Sequence, residues 1–364
     1  MNSPMDLSPA QRNKEIIRCI NQLGTLTLKS NYQRYSLFPV QDEKAFEFYK
    51  KQEAAIWSAN EMEFTRDKND YDRLDPQLKR LVDMILGFFA PADGLVSQNI
   101  AFRFLLECDT FEEMASFITQ FFIELVHSEN YGMQIMSCVP DEGEQKKIFE
   151  MCESLPCVKR KVEWMNKYLF SDDPKLYRLA AFAAAEGIFF SVLFAIIFWF
   201  RSKGILQNFI FMNEQISKDE GMHRDYGCYL FRKELSKGGE YVPEGWKEKV
   251  TQILDEALEV ELEFLQVLVP EPIDDLTYEN LADYARVVTD HLRYALSLPT
   301  KYNVTNKLTW MNDISLSQKG NFYEVRIGSY KNFSVKDALN WKKRCGIDKE
   351  ETVSVYDNPE LFDI

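Results

Sequence analysis

The sequence predicts an all-α protein in which long helices pack into a bundle. Apolar residues recur at helical spacing through most of the chain before residue 320, and strand signals are nearly absent there. Local signals mark the helix boundaries, such as the proline of a first turn at Pro76 and the glycine pair Gly238 and Gly239. With 364 residues, of which 46% are hydrophobic, the chain can bury a large core.

The first part of the chain combines an arm with three helical segments. Residues 1–32 are polar and weakly periodic, which predicts a flexible N-terminal arm. A helical pattern follows the sequence RYSLFPV and includes Trp57 as its last apolar member. A long helix with proline in its first turn is predicted over about 76–106. Thr110 and Glu113 form a capping box, which predicts the start of the third helix.

The second part continues with helices up to about residue 300, and the pattern weakens beyond that point. These helices are predicted over about 143–153, 157–169, 173–204, a long run that ends at Gly238, 244–268 and 277–297. We assign residues 33–345 to one helical domain. Residues 346–364 are acidic with scattered apolar side chains, so we expect a flexible C-terminal tail that docks a partner.

One segment, 179–200, is apolar enough to cross a membrane and carries Glu186 as its only charge. The competing interpretation is a helix that is apolar all round because it lies at the centre of the bundle. We favour the core helix, because no other segment is comparably apolar and a lone carboxylate in a membrane would be costly. The sequence therefore predicts no membrane span.

Composition restricts the class of partner and the compartment. The net charge of −14 disfavours nucleic acid or an anionic membrane surface as the main partner. The N-terminal residues lack a basic segment followed by an apolar run, so they do not resemble a secretory signal. Seven cysteines without a C-x-x-C pair favour a reducing compartment. We therefore expect a cytoplasmic protein.

The strongest chemical motif is the sequence FFIELVHSENY, which contains Glu124, His127 and Tyr131. On a helix these three side chains fall within roughly 60° of one another, so they share one face. The same Glu-x-x-His spacing returns at Glu220 and His223, and the chain holds only three histidines. Two repeats of this motif predict a metal site with an oxidisable phenol beside it.

Two further carboxylates precede the motifs by about the length of an antiparallel helix pair. Asp93 precedes Glu124, and Glu186 precedes Glu220. One carboxylate and one Glu-x-x-His from each pair is the ligand arrangement of ferritin-like di-iron and di-manganese proteins. Two divalent cations would cancel the four negative charges, which would otherwise repel one another in an apolar bundle. The predicted metal ligands are Asp93, Glu124, His127, Glu186, Glu220 and His223.

Residues around these ligands allow two interpretations. Phe190, Phe194 and Ile216 could keep water from the site, or they could be ordinary core residues. Tyr131 could donate one electron to an oxidising metal pair, or it could be packing alone. Asp219 is the nearest candidate to accept the N–H of a ligating imidazole, although it could be a solvated helix acid.

Several motifs closely resemble the small, radical-generating subunit of class I ribonucleotide reductase of the eukaryotic and viral type. They are APADGLV, ELVHSENY, LPCVKRK, AEGIFFS and ISKDEGMH, and the similarity extends from RYSLFPV to NFYEVRIGSY. The resemblance implies that the six predicted ligands bind two irons and that Tyr131 becomes a stable tyrosyl radical. It makes Phe190, Phe194 and Ile216 the pocket around that radical, and it places Asp219 and Trp57 in an electron-transfer chain from His127.

The resemblance also implies the partners. A homodimer is expected, and the C-terminal tail is expected to dock a large subunit whose cysteine receives the radical and which reduces ribonucleotides. Tyr330 matches the radical-relay tyrosine by local motif, whereas Tyr356 lies nearer the terminus; we favour Tyr330. The chain departs from the family pattern at Lys218, where arginine is usual, and in its LFDI terminus. Neither departure removes a ligand, and manganese in place of iron stays open.

Two alternative functions would use the same ligands. A di-iron oxidase or desaturase would act on its own bound substrate through an open channel. A ferritin-like iron-handling protein would need a surface that forms a cage. Tyr131 and the docking-like tail favour the radical-generating subunit over both.

Overall fold

The structure is a computed structural model and describes residues 36–169 and 171–311. Two predicted segments, the arm at 1–32 and the tail at 346–364, lie outside these described residues, as do Tyr330 and Tyr356. Their assignments therefore stay predictions.

Helices account for most of the described chain, and no strand occurs in that part. An isolated bridge joins Ile273 to Leu276. The α-helices are α1 (Glu43–Ala55), α2 (Asp67–Arg73), α3 (Pro76–Phe102), α4 (Phe111–Cys138), α5 (Glu142–Phe149), α6 (Met151–Ser154), α7 (Pro156–Leu169), α8 (Lys175–Ala184), α9 (Phe190–Lys203), α10 (Gln207–Lys237), α11 (Trp246–Leu268) and α12 (Tyr278–Ala295). The prediction of an all-α bundle with long helices is confirmed.

Local capping explains why α3 and α4 begin where they do. The Asp75 side chain accepts hydrogen bonds from the first free backbone N–H groups of α3, at Gln77 and Leu78. Thr110 caps α4 by accepting from the Glu113 N–H at 3.2 Å. The Glu113 carboxylate accepts from the Asp109 N–H instead of returning to Thr110, so the predicted capping box is only half formed.

Helix α1 is shorter than its sequence pattern suggested. It ends at Ala55, so Trp57 lies in the following connection and not on the helix. Trp57 is nevertheless buried. Its position is therefore set by tertiary packing and not by helical periodicity.

The apolar segment forms α8 and α9, and a π-helix over Ala185–Phe189 joins them. Two helical stretches, Pro76–Glu107 and Lys175–Lys203, are long and apolar enough to cross a membrane by composition. Of the most apolar window in Lys175–Lys203, 94% is buried inside the protein, and for Pro76–Glu107 the share is 67%. The preference for a buried core helix is therefore confirmed for this segment.

Four segments bring the predicted ligands together. Helix α3 packs along α4, α10 packs against α8, and α10 also contacts α4, α9 and the π-helix. The centre of the bundle thus lies between α3, α4, the π-helix and α10. It is enclosed by a continuous apolar core to which all these segments contribute.

Candidate metal centre

The centre of the bundle holds a cluster of carboxylates and imidazoles. It consists of two overlapping groups, and within each group the possible ligand atoms lie within 4.8 Å of one another. Glu124 belongs to both groups, so it lies between the two halves. The groups are Asp93, Glu124 and His127, and Glu124, Glu186, Glu220 and His223, all of them buried. The structure therefore brings all six predicted ligands together.

Both imidazoles turn the same ring nitrogen toward the carboxylates. His127 Nδ1 lies 2.9 Å from Glu220 Oε1 and 3.4 Å from Glu124 Oε2. His223 Nδ1 lies 2.9 Å from Glu124 Oε1 and 2.9 Å from Glu220 Oε2. On the far side of its ring, His127 Nε2 lies 3.1 Å from Asp219 Oδ2. Asp219 thus lies where it can accept a hydrogen bond from the His127 ring.

The unpaired polar atoms of this cluster test whether cations fit it. Burying a polar atom without a partner is costly, and such atoms are rare in folded proteins. Here several converge on one place, and oxygen and imidazole donors without thiolate suit iron or manganese. The buried atoms without a hydrogen-bond partner include both Asp93 oxygens, Glu186 Oε2 and His223 Nε2. The cluster therefore fits a pair of divalent cations.

The electrostatics of the cluster lead to the same conclusion. The pKa of Asp93 lies well above its usual value, mainly because the carboxyl is buried and secondly because of the charge of Glu124. Burial, followed by the charge of Glu220, likewise raises the pKa of Glu186. Although burial opposes it, the carboxylates of Glu124 and Glu220 raise the pKa of His223 to about 10. Without cations the site therefore retains protons, which metal ions would displace.

Sequence reasoning missed Gln120. This buried side chain donates from Nε2 to Glu124 Oε1 and to Glu186 Oε1, each at 3.1 Å. It therefore holds carboxylates from α4 and the π-helix in a fixed relation. Its position one turn before Glu124 on the ligand face was a usable signal, since it shares that face by helical spacing.

Tyr131 is fully buried beside this cluster. Its ring stacks on Phe89 with centroids 4.8 Å apart and planes 7° apart. Phe190 and Phe194 pack on the same Phe89 ring, at 5.5 and 5.3 Å. Sequence reasoning missed Phe89, which lies one turn before Asp93. Its ring contacts both the Tyr131 ring and the predicted pocket residues Phe190 and Phe194.

The Tyr131 hydroxyl faces α10. It donates a hydrogen bond of 2.8 Å to Asn213 Oδ1, a residue that sequence reasoning also missed. Burial, followed by the charge of Asp93, raises the pKa of the phenol well above its usual value. Ile216 is buried three residues after Asn213 on the same helix. The phenol is therefore kept neutral.

A hydrogen-bonded chain leads away from the cluster on its other side. Trp57 Nε1 donates to Asp219 Oδ2 at 2.8 Å, and the same oxygen faces His127. The Trp57 and His127 rings are stacked with centroids 5.9 Å apart. The two predicted members of the chain, Asp219 and Trp57, are thus both in contact with His127 or its partner.

Comparison with known proteins identifies the family. The family model for the small chain of ribonucleotide reductase matches residues 34–308. The chain belongs to this family. It is 38% identical over 308 residues to the ribonucleoside-diphosphate reductase small chain of Variola virus, covering 85% of this chain and 94% of that one. The small chain of Nicotiana tabacum is 36% identical over 313 residues, which cover 86% and 93% of the two chains.

Solved structures agree in fold. The Rnr4 homodimer of Saccharomyces cerevisiae is 26% identical with a TM-score of 0.68, covering 84% of this chain and 97% of that one. A putative class I ribonucleotide reductase from Bacillus halodurans has a TM-score of 0.71 at 20% identity, with coverages of 75% and 100%. The latter likeness concerns the fold alone. Both support the predicted ferritin-like bundle.

The chain is thus a small subunit of ribonucleoside-diphosphate reductase, an oxidoreductase that supplies deoxyribonucleotides. The resemblance inferred from its motifs is confirmed. The two alternative functions, an independent oxidase and an iron-handling protein, find no support among these relatives.

Proposed function

We propose that this subunit holds two iron ions and keeps an oxidising equivalent as a radical on Tyr131. The observation that carries the proposal is the convergence of partnerless ligand atoms beside a fully buried phenol. Two bound metal ions would supply the dioxygen chemistry that removes an electron from the phenol. The six proposed ligands are Asp93, Glu124, His127, Glu186, Glu220 and His223.

Iron is proposed from family membership, because carboxylate and imidazole donors suit manganese as well. A protein of similar fold from Streptococcus sanguinis is a dimanganese(II) protein, with 20% identity, a TM-score of 0.71 and coverages of 78% and 99%. Metal analysis of the protein purified from its natural host would decide between the two ions.

The surrounding side chains would protect and connect the radical. Phe89, Phe190 and Phe194 form an aromatic wall on the phenol side, which excludes water that could carry protons or reductants to a radical. Asp219 and Trp57 extend from His127 in hydrogen-bond contact, so we assign them to the path by which an electron moves between the metal pair and the outside.

The radical equivalent would pass to a large subunit, which carries out ribonucleotide reduction in the cytoplasm. We assign docking to the tail at 346–364 and the relay to Tyr330, with Tyr356 as the alternative. Deletion of residues 350–364 should leave the radical intact and abolish reductase activity in the reconstituted complex. Full activity of the truncated protein would remove the docking assignment.

We further propose a homodimer formed through α4. One face of α4 carries the cluster, whereas its other face exposes large apolar side chains that lie within roughly 80° of one another. Such a stripe on a surface helix is typical of an interface. The exposed residues are Ile118, Phe122, Leu125, Met133 and Met136.

Replacing Phe122 by glutamate should convert the dimer to a monomer in sedimentation experiments, since it buries a charge in the proposed interface. Phe211, an equally exposed phenylalanine on α10, provides the matched control. Phe211→Glu should leave the dimer intact. A dimer that survives Phe122→Glu together with Leu125→Glu would place the interface elsewhere.

The radical assignment is tested by electron paramagnetic resonance after ferrous iron and dioxygen are added to metal-free protein. We expect a persistent organic radical in the unchanged protein and none in Tyr131→Phe, which should bind the same amount of iron. Tyr226, another fully buried tyrosine, whose hydroxyl donates to the Glu113 carbonyl, provides the control. Tyr226→Phe should keep the signal, and an unchanged signal in Tyr131→Phe would refute the assignment.

A further inference from the structure

Asn213 is a fully buried amide two helical turns before Glu220 on α10. Its Oδ1 accepts the hydrogen bond of the Tyr131 hydroxyl at 2.8 Å. Its Nδ2 donates to the Phe209 carbonyl, one turn back on the same helix, also at 2.8 Å. Both ends of the amide are thus engaged, and each bond enforces the same orientation of the side chain.

We propose that Asn213 sets the reduction potential of Tyr131 by stabilising the protonated phenol relative to its radical. The inference rests on the proposed function, in which Tyr131 carries the radical. In the half-reaction the neutral radical takes up one electron and one proton and re-forms the O–H bond. Asn213 itself takes up neither the electron nor the proton, because a neutral amide is not a base. It affects the potential because it interacts differently with the phenol and with the radical.

In the reduced form the phenol is a buried donor, and Asn213 supplies its acceptor. A buried donor without an acceptor is destabilised by its full desolvation free energy. Removing the Asn213 amide would therefore raise the free energy of the reduced form.

In the radical form no hydrogen lies between the two oxygens. Asn213 Oδ1 would then face the phenoxyl oxygen directly, which is repulsive. Turning the amide over would offer Nδ2 to that oxygen, but it would also break the bond to Phe209 and bring Oδ1 against the Phe209 carbonyl oxygen. The fixed amide therefore makes the radical the less favoured form and the stronger oxidant.

The test replaces Asn213 by leucine, an apolar side chain of similar size. After loading with ferrous iron and dioxygen, the midpoint of the Tyr131 radical is measured by mediated titration and followed by its paramagnetic signal. We expect the equilibrium to shift toward the radical by roughly tenfold, the order of one net hydrogen bond. For one electron this corresponds to about 59 mV toward lower potential. A hydroxylamine-type reductant, which donates one electron and one proton, should also reduce the radical more slowly in the Asn213→Leu protein than in the unchanged protein.

Two controls separate this effect from altered packing. Met212→Leu changes the neighbouring buried side chain without removing the amide, and it should leave the midpoint unchanged. Asn213→Ala cannot overfill the site and should shift the midpoint in the same direction as leucine. An unchanged or higher midpoint in both Asn213 variants, with iron content intact, would overturn the inference.

The outcome also distinguishes this inference from the proposed function. If Tyr131→Phe keeps the radical signal, the radical lies elsewhere and the proposed function fails. If Tyr131→Phe loses the signal while both Asn213 variants keep the original midpoint, only the role of Asn213 is wrong.

Discussion

Two clusters of fully buried charge lie in the core of this protein, and they differ in how their charges are balanced. Lys161 on α7 and Glu261 on α11 lie 2.7 Å apart, so one positive charge meets one negative charge. The lysine also lies over the rings of Phe88 and Phe264, at 4.0 and 4.2 Å. The lysine therefore balances the charge of the carboxylate without a ligand.

The candidate metal centre is not balanced in this way. It gathers four carboxylates and only two imidazoles, and polar atoms of Asp93, Glu186 and His223 have no hydrogen-bond partner within the described chain. The comparison shows that burial of charge does not by itself indicate a ligand site. What marks the site is that four carboxylates converge with only two imidazoles, whereas Glu261 meets a lysine of its own.

The two clusters should respond oppositely when one charge is removed, and the larger effect is expected at the ion pair. Lys161→Met leaves Glu261 buried and without its positive partner. We expect a loss of about 3–5 kcal/mol in the free energy of unfolding, measured by urea denaturation of the metal-free protein.

A double variant tests the reason for that loss. Lys161→Met combined with Glu261→Leu removes both charges and should recover most of the stability, because an apolar pair avoids the cost of desolvating charges. A double variant no more stable than Lys161→Met alone would show that packing, and not the unpaired charge, causes the loss.

At the candidate metal centre, Glu186→Gln should leave the stability of the metal-free protein unchanged or raise it by about 1 kcal/mol. Such a gain is expected where residues needed for function destabilise the fold. The substitution removes a carboxyl whose pKa is raised by burial, so its ionisation opposes folding at neutral pH. Metal affinity should fall by more than the roughly 100-fold expected for loss of an outer partner. Urea denaturation and metal titration measure the two effects.

The pH dependence of this difference is a further check. Below the ordinary pKa of glutamate the carboxyl is neutral in both the folded and the unfolded protein, so any stability gained by Glu186→Gln should vanish there. The same substitution at the ion pair, Glu261→Gln, is the matched control. Burial raises the pKa of Glu261 as well, but this substitution leaves Lys161 buried without its negative partner, so it should destabilise the protein at neutral pH. Equal destabilisation by both substitutions would contradict the distinction between the two clusters.

Features that depend on residues close together in the sequence could be predicted, whereas features that depend on contacts between distant segments could not. Helix starts at Pro76 and Thr110 and the helix end at Gly238 were predictable because capping involves only neighbouring residues. The grouping of the candidate ligands was predictable because Glu-x-x-His places two donors on one helical face. The end of α1 was predicted too late, since Trp57 belongs to a connection whose packing no local pattern encodes.

Residues that act between helices could not be found in the same way. Asn213 meets Tyr131 from α10, and Gln120 joins α4 to the π-helix. The π-helix itself was not anticipated, because 185–189 reads as an ordinary apolar helix. A contact between two helices depends on their relative rotation and distance, and neither quantity can be obtained from periodicity along one segment.

The sequence alone thus determined the all-α architecture, the donor set and the kind of chemistry, because residue type and helical spacing carry these properties locally. The tertiary structure decided that Glu124 lies between the two halves of the cluster and that Asn213 receives the phenol hydrogen bond. It also decided that one buried carboxylate meets its own lysine, whereas four others converge in a cluster that is able to hold cations. Charge balance in a core is a property of three-dimensional neighbours, so it appears only once the helices are packed.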